Sequence, residues 1–296
     1  MTLAIIEPGA QATVQDLGRT GHAHEGVPRS GAADTLSLVL ANRVAGNPDG
    51  AAVLEITMSP LVARFDRDAT VAIAGGPAPL EVRIVRSGEE IRVEPRHARA
   101  YLAVAGGIDT SLVMGSRSTL LAAGLGGQHG RALRGGDVLP LGTAVHPPRE
   151  PPAAVSAVLG LAQASRVLRV VPAAASRDDA LWRRLWLVEA RSDRVGVRMR
   201  ADAADASDRS RADSRGMPAA AIQAPSEREL IVLGPDGPTT GGYPVPGVVC
   251  AVDMPSVGQF AAGDRVRLQP IERAVALAIY RERWRTLDAL LSPIAK

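Results

Sequence analysis

Short apolar runs, each closed by Gly, Pro, Asp or Ser, recur along the whole chain and limit its fold more narrowly than any other feature. "TLAII", "ATVAIAG", "EVRIV", "EIRVEP", "AYLAVAG" and "DVLPLG" lie in the first half; "RVLRVV", "ELIVLG", "GVVCAV" and "DRVRLQP" lie in the second. Many alternate apolar and polar residues, the mark of a strand that buries one face. Strands spaced this closely leave no room for a crossover helix after each one. They favour barrels or sandwiches over a doubly wound sheet. The chain is therefore expected to be mainly β with some α.

Helical signals are fewer. "ADTLSLVLANRVAG" spaces Leu36, Val39, Leu40 and Val44 at near-helical intervals, with Asp34 placed to cap it and Gly46 to end it. "DDALWRRLWLVE" reads as a short amphipathic helix. "IERAVALAIYRERWRTLDALL" sets Leu277, Ile279, Tyr280, Trp284, Leu287 and Leu291 on one side with arginines opposite, a C-terminal helix. A turn-plus-strand device recurs in "SGEEIRVEP", "GGDVLPLG" and "AGDRVRLQP" and hints at two similar barrels. The Pro- and Ala-rich stretch 146–165 reads as a linker between a first domain, 1–145, and a second, 166–296. The charged stretch 200–218 reads as an irregular, mobile loop.

Composition excludes several functions. Aromatics are only 3% of the 296 residues, so the core must be built from Val, Leu, Ile and Ala. The net charge is +3 and nearly every cation is arginine. Nucleic-acid binding would want a basic stripe interleaved with aromatics, and neither is visible. The single cysteine, Cys250, excludes an internal disulfide and a multi-Cys metal site. "MTLAIIEPGA" has no basic segment ahead of its short apolar run, and no stretch is apolar enough to span a membrane. A soluble, cytoplasmic protein is expected. The sole lysine is Lys296, so the loop "GPTTGGYPVPG" (237–247) cannot be a Walker A site, and no internal lysine can carry a Schiff base or biotin.

Four clusters could carry chemistry. "TVQDLGRTGHAHEGVPRSGAAD" gathers Gln15, Asp16, Arg19, His22, His24, Ser30 and Asp34 among glycines, a loop suited to close backbone approach to a ligand. His22 and His24 form an H-x-H pair without a third ligand at a recognisable spacing, so no metal site is assigned. His24 is the candidate for proton transfer because histidine titrates in the useful range. "MGSRSTLLAAGLGGQHGRALRGGD" offers Ser116, Arg117, Ser118, Thr119 and Arg131 to an oxyanion. A helix beginning near Ser118 would add its N-terminal N–H groups, or the hydroxyls would only cap that helix. "RSDRVGVRMR" holds Ser192, Asp193 and Arg194, an ion-pair network or a carboxylate fork. The fourth is the 237–247 loop with Thr239, Thr240 and Tyr243.

The sequence as a whole resembles the biotin-dependent carboxyltransferase / allophanate hydrolase subunit 2 family. The resemblance rests on the 8–56 segment and, in the family's order, on "YLAVAGGID", "GSRST", "GLGGQHGRALRGGD", "SDRVGVR", "AIQAPS" and "TTGGYPVPGVVCAVDMPSVGQFAAGD". It departs from the family's pattern at Ala33, at Pro238 and through 200–218. The resemblance implies two cyclophilin-like β-barrel domains plus the C-terminal helix. It implies a hetero-oligomer with a B-type (KipI-like) subunit, and an A-type subunit for ATP-dependent cleavage of a small amide, 5-oxoproline, to glutamate. ATP and Mg would act in the complex, with no cofactor bound by this chain. The alternatives are carboxyl transfer to urea or a similar amide from biotin on another chain, and a non-catalytic regulatory partner of the B-type protein. The resemblance carries Arg117 and Arg194 as catalytic positions. As substrate-binding positions it carries Gln15, Asp16, Arg19, Ser30, Asp34, Ser116, Ser118, Thr119, Arg131, Ser192, Asp193, Gln223, Thr239, Thr240 and Tyr243.

Overall fold

Strand Thr2–Glu7 buries Leu3 and Ile5 completely and leaves Ile6 facing outward, and most of the chain repeats this alternation. The computed structural model describes residues 1–76, 79–174, 179–201 and 213–291. Its first half holds two antiparallel sheets. One runs, in spatial order, Gln11–Gln15, Val53–Thr57, Arg99–Val104, Ala69–Ala74 and Glu81–Val85. The other runs Glu90–Val93, Leu61–Phe65, Thr2–Glu7 and Val138–Pro140. Leu3, Ile5, Val14, Leu54, Phe65, Val71 and Leu102, drawn from both sheets, share one core.

The five-stranded sheet is buried on its second face as well. Helix Thr35–Ala45 packs there against Val53, Ala72, Ala74, Tyr101 and Ala103. Strand Arg99–Val104 is therefore buried at every position, which is why "AYLAVAG" does not alternate. Asp34 caps the helix by accepting from Ser37 N at 3.0 Å, and Gly46 ends it at φ 80°. Within 146–165 the chain forms helix Ala153–Ala164, whose Val155, Leu159 and Ala162 join this outer layer.

The second half closes into a seven-stranded barrel. Its order is Val167–Pro172, Gly247–Val249, Ala221–Gln223, Glu229–Leu233, Gly196–Arg200, Leu185–Val188 and Arg265–Pro270. The architecture is mainly β, as the strand-like runs imply. "DDALWRRLWLVE" divides into helix Asp179–Arg183 and strand Leu185–Val188. Trp186 and Val188 alternate into the barrel core, and pairing with Arg265–Arg267 outweighs the local helical preference. The segment 200–218, read as a loop, lies mostly outside the described residues, although Arg215–Gly216 pairs with Thr240–Gly241. The recurring turns share one geometry. Gly88, Gly136 and Gly263 take φ 79°, 89° and 92° ahead of their strands. A Cβ at any of them would meet no atom within 4 Å, so backbone conformation rather than crowding calls for glycine.

Helix Arg273–Leu291 follows the expected C-terminal segment but buries less of its apolar side. Only Leu287 is fully buried, and Trp284 and Leu291 are partly so, against the layer that contains Thr35–Ala45. Leu277 and Tyr280 remain 43% and 41% exposed. Arg43 ties this end of the helix down, reaching Asp288 at 2.6 Å and lying 5.5 Å from the centre of the Trp284 ring.

The two halves touch through helix Met254–Gln259. A Cβ on Gly258 would lie 2.4 Å from the Ala33 carbonyl oxygen, a backbone atom that cannot swing aside. Gly258→Ala is expected to destabilise the chain by about 1–3 kcal/mol through overpacking, although alanine is the better helix former. Urea unfolding measures this, and an unchanged or raised midpoint would show that the contact gives way freely.

Candidate functional site

Strand Gln11–Gln15 ends beside a buried loop formed by 116–119. Asp16 organises that loop. Its Oδ1 accepts from Gly18 N at 2.7 Å, Ser116 Oγ at 2.6 Å and Ser118 Oγ at 2.5 Å. Its Oδ2 accepts from Arg117 N at 2.6 Å. Gln15 Nε2 donates to Thr119 O at 3.1 Å, and Arg19 Nη2 donates to the neighbouring carbonyl of Ser118. No α-helix starts at Ser118; a short 3-10 turn, Leu121–Ala123, follows instead. The hydroxyls of Ser116 and Ser118 are thus turned onto Asp16 rather than capping a helix. The "GLGGQHG" glycines serve the same loop. A Cβ at Gly126 would lie 2.1 Å from Ser118 O, and one at Gly127 would lie 1.9 Å from Thr119 Oγ1.

A second buried group adjoins this loop at the junction of the halves. Arg194 holds Asp236 through Nε at 2.7 Å and Nη2 at 2.9 Å. Its Nη1 reaches Glu55 at 2.7 Å and its Nη2 reaches Gly31 O at 2.7 Å. Glu55 also accepts from Ala33 N at 2.8 Å and from the Tyr101 hydroxyl at 2.9 Å, and lies 3.5 Å from Arg99 Nε. Asp34 closes the network. Its Oδ2 accepts from Ser37 Oγ at 2.7 Å, Gln163 Nε2 at 2.5 Å and Gln259 Nε2 at 3.0 Å. One carboxylate therefore joins three helices and both halves.

Electrostatics follow burial and pairing. Burial pushes the Glu55 carboxyl upward, but Arg194 and Arg99 outweigh it and hold the group below its ordinary value. Burial raises Asp34, and its four hydrogen bonds only partly oppose this. Burial, with Glu55 and Asp34 nearby, raises the Tyr101 phenol well above its usual range. A carboxyl depressed in the folded state stabilises the fold above its unfolded pKa, and that contribution is lost as pH falls through the folded value. Acidification below about pH 4, the ordinary glutamate range, is therefore expected to cost the wild type stability through Glu55. Glu55→Gln should start less stable at neutral pH and lose less on acidification. Chemical denaturation at several pH values checks this, and parallel pH profiles would contradict it.

The other positions named from the sequence fall elsewhere. His24 is 77% exposed and sits 3.9 Å from Glu25, which His22 holds at 2.7 Å. The Arg117 side chain turns outward to Asp109 at 2.5 Å, so Arg117 serves the loop through its backbone N–H. Arg131 pairs with Asp137 at 2.7 and 2.8 Å. Ser192 and Asp193 shape the turn before Gly196–Arg200, accepting from Arg198 N and from Val195 N. Gln223 lies against Gly241 and Met217, beside Thr239, Thr240 and their short ladder, with Tyr243 half-buried nearby in sequence. Ser30, at φ 56°, donates its N–H to Pro235 O at 2.8 Å. The turn 235–236 thereby reaches both the Arg19 loop and Arg194.

Sequence reasoning missed Glu55, Tyr101, Arg99 and Asp236. Glu55 carried a signal: a lone charge inside the apolar run "AAVLEIT" is buried only if paired. Asp236 in "GPDGP" reads simply as a turn residue. Among the described residues no group of three or more His, Cys, Asp or Glu could hold a metal ion, and no helix is long and apolar enough to cross a membrane.

The fold and this junction define a mainly β protein with a buried, arginine- and hydroxyl-lined polar centre between two halves. The family model described as "Carboxyltransferase domain, subdomain A and B" matches residues 25–270, and the chain belongs to that family. It is similar to the C-type subunit of the Escherichia coli K12 5-oxoprolinase, 33% identical over 308 residues that cover 97% of each protein. It is 30% identical to the urea amidolyase of Lachancea kluyveri, covering 97% of this chain but 18% of that protein. Among solved structures, the Kluyveromyces lactis urea carboxylase superposes with a TM-score of 0.85 at 27% identity. That match covers 98% of this chain and 29% of the other, so the chain spans under a third of the yeast enzyme.

Proposed function

We propose that the chain is the C-type subunit of a 5-oxoprolinase complex, cleaving 5-oxoproline to glutamate at the expense of ATP together with A- and B-type subunits. The observation that carries this reading is the end-to-end likeness to a 5-oxoprolinase C-type subunit, whereas the urea enzymes match this chain over only a small part of their length. The reaction adds water across the lactam, breaks the C–N bond and leaves a carboxylate and an amine. Negative charge develops on the carbonyl oxygen before the bond breaks. Fixed N–H and O–H donors in a water-poor site stabilise that charge, and the buried polar centre between the two halves is such a setting. ATP and Mg act on other subunits, the chain is inactive alone, and the complex works in the cytoplasm.

A second reading is carboxyl transfer to urea or a similar amide, with biotin carried on another chain. The superposition on urea carboxylase favours it. ATP hydrolysis by this chain, alone and with its A- and B-type partners, separates the readings when 5-oxoproline and urea are compared. Stimulation by 5-oxoproline only in the full mixture is expected. Stimulation by urea that requires bicarbonate and a biotinylated chain would overturn the first reading in favour of the second.

A further inference from the structure

Arg19 differs from the other buried arginines of the junction. Arg194 and Arg99 both face Glu55, and Arg194 also grips Asp236. Arg19 is only 2% exposed, yet among the described residues no carboxylate oxygen lies within 4.0 Å of it. Burial disfavours its charge more than the nearby Asp16 and Asp236 favour it; Asp16 is engaged by neutral donors and Asp236 by Arg194. Among the described residues the Arg19 Nε and Nη1 have no acceptor. A buried cation without an anion is costly, and such groups in native proteins call for an explanation.

Two further orphans lie on neighbouring segments. Ser30 Oγ, on the segment whose Arg29 carbonyl accepts from Arg19 N at 2.7 Å, has no partner among the described residues. Gln15 Oε1 is also unpartnered among the described residues, although Gln15 Nε2 is fixed on Thr13 Oγ1 and Thr119 O. The two Arg19 nitrogens are donors, the Ser30 hydroxyl can donate or accept, and Gln15 Oε1 is an acceptor.

We propose that Arg19 seats a carboxylate, with Ser30 donating to it, and that Gln15 Oε1 accepts an N–H from the same molecule. The ligand class is an amide acid. This rests on the 5-oxoprolinase reading, because 5-oxoproline carries a carboxylate on the carbon next to its lactam N–H. Urea has the N–H without the carboxylate, and bicarbonate has the carboxylate geometry without the N–H.

Isothermal titration calorimetry of the full chain, alone and in the assembled complex, tests the seat. The probes are 5-oxoproline, 2-pyrrolidinone (the same lactam without its carboxylate), urea and bicarbonate. The wild type is expected to bind 5-oxoproline at least about tenfold more tightly than 2-pyrrolidinone, the size of one charge-assisted contact. Arg19→Gln should erase that preference and Arg19→Lys should keep part of it. Should Arg19→Gln fail to fold, the wild-type comparison of the two lactams still decides. Equal affinity for them, a preference that survives Arg19→Gln, or no binding of any probe would each overturn the seat. A 5-oxoproline affinity that ignores Arg19 would sink the seat and spare the 5-oxoprolinase reading. Arg19-dependent bicarbonate binding without 5-oxoproline binding would support a carboxylate seat and sink that reading.

Discussion

Arg194→Met is expected to lower the unfolding free energy by about 3–5 kcal/mol, the cost of leaving buried carboxylates without their cation. Arg194 is 6% exposed and gives four hydrogen bonds, two to Asp236, one to Glu55 and one to Gly31 O. Methionine fills similar space and strands Glu55 and Asp236 in a dry setting. Glu55 retains Arg99, 3.5 Å away, so Asp236 bears most of the loss. Adding Asp236→Asn to Arg194→Met should therefore recover part of the stability, which a double-mutant cycle measures. A near-neutral Arg194→Met would mean that the junction is hydrated and the network carries little. The same substitution frees the Gly31 carbonyl and so loosens the Ser30 side of the proposed site. Activity of the complex should fall even where the variant remains folded.

Asp16→Ala is expected to have the largest effect on function. It leaves Ser116 Oγ, Ser118 Oγ, Gly18 N and Arg117 N without their shared acceptor. Each buried orphan costs about 1–3 kcal/mol when it cannot relax toward water. The 116–119 loop would shift, and with it the carbonyls that fix Gln15 and Arg19. Misplacement of about 1 Å at a reacting centre can cost about 100-fold, and a loss of that order in the assembled complex is expected. Asp16→Asn should be milder. An oxygen in place of Oδ1 keeps three of the four bonds, and only the amide facing Arg117 N opposes a donor with a donor. Full activity in Asp16→Ala would show that the loop is not part of the site.

The fold was legible where local rules agree with tertiary pairing. Alternation marked Thr2–Glu7 and Arg265–Pro270, and Asp34 and Gly46 bounded their helix. Helix Ala153–Ala164 escaped notice because Pro152 gives it no side-chain cap and its composition reads as linker. Strand Leu185–Val188 escaped because "DDALWRRLWLVE" satisfies a helical pattern until the barrel claims its second half. The polar clusters were visible as local densities of hydroxyl, arginine and glycine. Their connections were not, since Asp16 meets Ser116 across 100 positions and Glu55 meets Arg194 across 139. Nothing in one sequence states such a pairing. Nor does it reveal that Arg117 acts through its backbone while its side chain turns to Asp109.

The measurement that tests the central claim most directly is glutamate released from 5-oxoproline by this chain mixed with the A- and B-type partners proposed for it and ATP, wild type beside Asp16→Ala. The wild-type mixture should form glutamate in step with ATP hydrolysis, and the variant should still assemble while glutamate falls about 100-fold. No glutamate from the complete wild-type mixture, or an undiminished rate with Asp16→Ala, would contradict an amide-cleaving site at the junction of the two halves.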